Sequence, residues 1–210
     1  MRIKLSIIFL ILLQFSCKEK TEKQFESQNN QVEKTKTDKV EIQPKSAVKF
    51  GFEKFLISKG KIGEIKIGMT IQDAEKLLTQ LTKTKVEAYD FGFDGGGEAY
   101  LYSLGTEPVI ALIPKMGSEE ILAIAAVSKD LKTNNGLCPK STVAEIQAKY
   151  PNIKVVQNLM MEWEYMEDEK NNQEFIFMTN ENNKIGEYGE LEVPVNPKRT
   201  NIKADWITIK

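Results

Sequence analysis

The sequence predicts an α+β fold: an antiparallel sheet meander with capped helices on one face. Three observations carry this. Two helix starts, at Thr70 and Thr142, stand 72 positions apart, and each has an acid three residues later, Asp73 and Glu145. Each start leads into an amphipathic stretch, with Ile71, Ala74, Leu77, Leu78 and Leu81 on one face of the first and Val143, Ile146 and Tyr150 on one face of the second. After each, short apolar runs alternate with Gly-, Asn- and Ser-rich turns, which is the pattern of strands joined by hairpins.

In chain order, residues 1–16 come first as an export leader. Arg2 and Lys4 precede an apolar run from Leu5 to Leu13, and Ser16 precedes Cys17. That run falls short of the roughly twenty apolar residues a bilayer span needs. Residues 17–48 read as a tether rich in Lys, Glu, Gln, Asn and Thr. Such a composition buries too little apolar surface to offset the entropy of ordering it. The globular region is placed at 49–210, a length suited to one domain.

Within it, the first helix starts at Thr70, and strands are placed at 85–93, 98–104, 109–113 and 121–128. Asp94-Gly95-Gly96-Gly97 is the hairpin signal between the first two. The second helix starts at Thr142 and is stopped by Pro151. Strands follow at 153–157, 161–166, 174–179 and 204–209, with turns at Asn171-Asn172 and Asn180 to Asn183. Residues 184–202 form a long excursion containing Gly186, Gly189, Pro194 and Pro197. The halves at about 60–135 and 136–210 read as two tandem helix-plus-sheet units. The alternative is two unrelated capped helices.

Composition narrows function. The chain of 210 residues has no histidine, which removes Ser-His-Asp and Cys-His catalysis and imidazole metal sites. Loss of Arg2 and Lys4 with the leader takes the formal charge of −1 to about −3, with no basic surplus and no aromatic-basic motif for nucleic acid. No catalytic residues, resident metal or cofactor are assigned. Cys138 reads either as a thiolate favoured by a helix start or as a small buried hydrophobe.

Four groups of residues merit attention. Alternation places Tyr89, Phe91 and Phe93 on one side of a strand, and Tyr100 and Tyr102 on one side of the next. These aromatics are core if helices cover that face. Otherwise Phe91, Phe93, Tyr100 and Tyr102 form a partner-binding patch. Asp90, Asp94 and Glu98 flank the glycines and are weak calcium candidates, with a spacing unlike the twelve-residue EF-hand loop. Asp90-Phe91-Gly92 spells a kinase motif with no other kinase element beside it. Glu162 and Glu164 share a strand face opposite Trp163 and Tyr165. They read as a sugar-hydrolase pair or as the wet face of a half-buried strand.

Two resemblances follow from these residues. Ser16-Cys17 after the apolar run resembles the lipobox of bacterial lipoproteins, although Gln14 and Phe15 depart from its commonest form. The resemblance implies a palmitate-bearing Cys17 at the mature amino terminus. Lys18, rather than Asp, after the cysteine implies the outer membrane, facing the periplasm or the surface. Ile67-Gly68-Met69-Thr70 before a capped helix, with the Ser141-Thr142 start and Asp205-Trp206-Ile207, resembles small envelope lipoproteins. The β-barrel-assembly lipoprotein BamE and the secreted β-lactamase inhibitor proteins share this helix-plus-sheet unit, and the anchor, the two units and the terminal aromatic strand also resemble the sigma-E-regulated enterobacterial lipoproteins. The expectation is a non-enzymatic, lipid-anchored, protein-binding module of the cell envelope. The competing readings are an inhibitor of a secreted or envelope enzyme, with residues 92–98 as the inserting loop, and a carboxylate-based hydrolase.

Overall fold

The computed structural model describes residues 50–191 and 193–210, all within one compact unit. The leader, Cys17 and the tether lie outside the described residues.

A small sheet ahead of the first α-helix was not anticipated from sequence. β1 (Ile57–Ser58), β2 (Lys61–Ile62) and β3 (Ile65–Lys66) form a small antiparallel sheet. Two tight turns make it, with Gly60 and Gly63 at positive φ, a conformation that only glycine adopts without steric cost. Ile57, Ile62 and Ile65 point inward and are fully buried.

α1 (Ile71–Glu75) begins at Thr70, whose hydroxyl accepts the Asp73 N–H. α2 (Val143–Lys149) begins at Thr142 with a complete capping box through Glu145. α1 is shorter than its apolar face suggests. After Glu75 the chain continues in tight turns, and these still carry Leu78 into the core.

The main sheet has eight strands in the order β4-β5-β6-β7-β11-β10-β9-β8, every neighbour antiparallel. β4 (Thr82–Glu87), β5 (Glu98–Leu104), β6 (Glu107–Pro114) and β7 (Ile121–Ala126) follow α1. β8 (Val156–Asn158), β9 (Trp163–Asp168), β10 (Gln173–Phe177) and β11 (Trp206–Ile209) follow α2. The fold is therefore α+β, mostly antiparallel sheet with little helix.

The chain just before each helix is held by matching bonds. Gly68 N–H donates to Ile121 O, and Ile121 N–H donates to Met69 O. Correspondingly, Lys140 N–H donates to Ala204 O, and Ala204 N–H donates to Ser141 O. Each partner segment lies at or just before the last strand of its half. Gly68 has φ +82° and Lys140 has φ +79°, so a lysine occupies the left-handed position that a glycine fills in the first half.

Alternation divides the sheet into two buried faces. One packs on Ile71, Ala74, Val143 and Ile146 of the helices, using residues such as Ile110, Leu112, Ile124, Phe175 and Ile207. The opposite face carries Ala99, Ala111, Ala123 and Ala125 at its centre, with Trp163 and Trp206 beyond them. No helix covers it.

Candidate functional site

The helix-free face owes its shape to a correction of the sequence reading. Residues 85–93 and 98–104 are not joined by a tight glycine hairpin. β4 ends at Glu87, opposite Glu98, and residues 88–97 form a separate strap. It opens with a 3-10 turn at Ala88–Phe91 and then reverses at Gly92, which has φ +90°. Ala88, Phe91 and Phe93 pack down on the sheet. The four alanines beneath are fully buried, and their small side chains let the strap lie close. Burying aromatic rings against a dry floor outweighs the strand pairing these residues would otherwise make.

The far end of the strap meets the two tryptophans. Phe91 packs edge-on against Trp206 at 5.8 Å between centroids. Trp206 meets Trp163 in a T-shaped pair at 5.1 Å. A Cβ on Gly92 would fall 2.7 Å from Trp163 Cζ2, so the strap's approach requires glycine. Trp206 Nε1–H donates to Thr208 Oγ1 at 3.0 Å, which satisfies the buried indole.

Between the strap and the edge strand β8 lies a groove of about 440 Å³. Phe91, Gly92 and Phe93 form one wall, and Val156, Gln157 and Asn158 form the other. The floor is made by Tyr165, Ile176 and Thr208, Trp163 lines it beside the strap, and Glu174 and Lys210 complete the lining. Lys210 Nζ and Glu174 Oε1 are 2.5 Å apart and neutralise each other. Asn158 Oδ1 accepts the N–H groups of Met160 and Met161, which fixes the turn into β9.

The predicted partner residues do not form one patch. Tyr100 and Tyr102 share a side, as alternation required, but that side faces the helices. Tyr102 is buried and its Oη donates to Glu75 Oε1 at 3.1 Å. Burial, reinforced by the neighbouring Glu75 carboxylate, pushes its hydroxyl pKa well up. Tyr100 lies half-buried under Lys83, whose Nζ stands 3.8 Å above the ring. Phe91 and Phe93 belong to the opposite face, and Tyr89 is exposed.

Asp90 and Asp94 are exposed on the strap, while Glu98 pairs with Lys85. Among the described residues, no group of three or more Cys, Asp or Glu side chains is placed to hold a metal ion. Cys138 is half-buried, with its N–H donating to Ser141 Oγ and its sulfur 3.7 Å from that oxygen.

The acidic strand also differs from expectation. Glu164 does not lie on a wet face but is 1% exposed on the helix side of β9. Its carboxylate accepts the N–H groups of Ile185 and Gly186, both at 2.8 Å, and the Tyr188 hydroxyl at 2.6 Å. It staples the excursion after β10 to the sheet, a need the sequence did not announce. Glu162 stands just before the strand with φ +57°. Nearby, the Tyr150 hydroxyl accepts from Asn135 Nδ2 at 2.9 Å, and burial, reinforced by the Asp168 carboxylate, pushes it up to about 12.

Comparison with protein-family models, with curated proteins and with solved structures finds no match. Among the described residues, no helix is long and apolar enough to cross a membrane.

Proposed function

We propose that this chain is a lipid-anchored protein of the bacterial envelope, held at the outer membrane through acylated Cys17. Its domain acts there as a non-enzymatic module that binds another envelope protein. The reading includes two tandem helix-plus-meander units, in the manner of the BamE-like and β-lactamase-inhibitor-like domains. The equivalence of Gly68 with Lys140 and of Thr70 with Thr142, at a constant offset and with matching hydrogen bonds, supports that pairing.

One observation carries the binding role. The strap is pinned on its inner side by Phe91, Gly92 and the tryptophans, while its outer side is left exposed. Tyr89, Asp94 and the glycines face solvent, and Met116, 70% exposed, stands beside Gly95. A loop already ordered in this way loses little conformational entropy when a partner docks.

Photo-crosslinking in cells tests the reading. A crosslinker at Tyr89 or Met116 is expected to trap a discrete envelope protein, while one at Lys149 on the helix side traps none. No adduct from either strap position would refute it. Palmitate labelling abolished by Cys17→Ser checks the anchor separately.

The second reading, an inhibitor of a secreted enzyme, draws on the same exposed tip at Asp94–Gly97. It predicts that the trapped partner is an enzyme whose activity falls on binding.

A further inference from the structure

We infer that the groove between the strap and β8 is a saccharide-binding site, taking a short neutral sugar chain. The assignment goes beyond the protein-binding reading and does not depend on the anchor, because the groove lies on the inner side of the strap.

Four features of the groove point to this ligand. Its volume of about 440 Å³ falls within the range of small-ligand sites, about 300–1,000 Å³. Its lining combines aromatic rings with amide and hydroxyl groups, so an acyl chain would strand the polar groups without partners. Lys210 and Glu174 are paired with each other, so the groove offers no uncompensated charge for a phosphate or a cation. Asn158 pairs with Trp163 across the ladder, so its side chain is on the groove side, and its Nδ2 is not engaged by other described residues. That NH2 can donate to a sugar hydroxyl oxygen.

A peptide fits less well. The floor consists of side chains from the centre of the ladder, whose backbone groups already pair with neighbouring strands. A bound main chain would find an open strand edge only at β8, which is three residues long. A sugar ring, flat and apolar on one face and hydroxylated at its rim, can instead lie over Tyr165 and reach Asn158.

The chain supplies its own reporter. It has two tryptophans, Trp163 on the groove and Trp206 stacked edge-on behind it. The test uses the mature chain with Cys17→Ser and follows tryptophan emission while chitotriose, cellotriose and maltotriose are added to millimolar concentrations. At least one is expected to give a saturable change. Tyr165→Ala and Val156→Trp, which fills the groove beside Tyr165, should each weaken it by about tenfold or more, and Lys149→Ala should leave it unchanged. Circular dichroism establishes that each variant is folded, and Val156, half-exposed on an edge strand, tolerates a larger side chain should Tyr165→Ala fail to fold. The assignment is overturned if no sugar gives a saturable change, if both groove variants bind as the parent does, if glucose 6-phosphate binds more tightly than every neutral sugar, or if trialanine shifts the emission where the sugars do not.

Discussion

Removing the carboxylate of Glu164 should loosen one defined segment and cost a calculable amount. Glu164 is buried, and it is the shared acceptor for two backbone N–H groups and one phenol. Glu164→Ala leaves the N–H groups of Ile185 and Gly186 without their acceptor. Each unsatisfied donor costs about 1–3 kcal/mol. Tyr188 is half-exposed and can turn to water, so it adds little. The expected loss is therefore about 2–5 kcal/mol, limited by the energy needed to detach the excursion alone. Glu164→Gln keeps one oxygen, enough for Gly186 and Tyr188, but turns an NH2 toward the Ile185 N–H. Its loss should be about 1–2 kcal/mol. Urea unfolding followed by circular dichroism gives the ranking, with parent above Gln and Gln above Ala. Limited trypsin digestion gives the location, since Lys184, Lys198 and Arg199 flank or lie within the stapled segment. An alanine variant that matches the parent in both assays would refute the staple.

Other perturbations separate backbone strain from packing. Gly92→Ala meets both a positive φ and the Trp163 ring, and should cost about 2–4 kcal/mol and shift tryptophan emission to the red. Gly97→Ala, at φ +104° in open space, should cost only about 1–2 kcal/mol and leave the emission alone; equal effects would show that the strap is not seated on Trp163. Lys140→Gly relieves a left-handed lysine but gives up an exposed ion pair with Asp205, so a gain of at most about 1 kcal/mol is expected in thermal unfolding. Gly68→Lys should cost about 1–2 kcal/mol, and the absence of any loss would deny the equivalence of the two positions. A hydrogen bond from Lys83 holds the Glu75 carboxyl below its ordinary 4.5. Its contribution is therefore present above that value and fades as acid protonates the folded form. Glu75→Gln should be less stable than the parent at neutral pH, and the gap should close in acid and shrink in salt. A gap that widened in acid would reverse the sign.

Much of the sheet was legible because its turns are chemically explicit. Asn171-Asn172 sets a hairpin whose strands fall close to the predicted spans, and Thr70 and Thr142 cap helices where their acids indicated. β1 to β3 were missed because strands of two residues give no readable alternation, although Gly60 and Gly63 among spaced isoleucines were the available signal. The strap was misread for a different reason. Tyr89, Phe91 and Phe93 alternate as a strand would, but tertiary burial on the alanine floor overrode that preference. The alanines themselves were a clue. Ala111, Ala123 and Ala125 alternate with Ile110, Leu112 and Ile124, which announces one sheet face that something approaches closely. The groove could not be read in advance, because it exists only where the strap and the strands after α2 meet.

β11 is the last strand in sequence yet lies between β7 and β10 in the sheet. Until Trp206–Ile209 has docked, the two halves present raw edges toward each other and the indole pair has no second ring. A chain emerging amino terminus first would thus stay open along this midline until residues 206–209 had docked, exposed meanwhile to pairing with strangers. Correct assembly of the sheet would then turn on four residues that join its halves like a stitch across a seam.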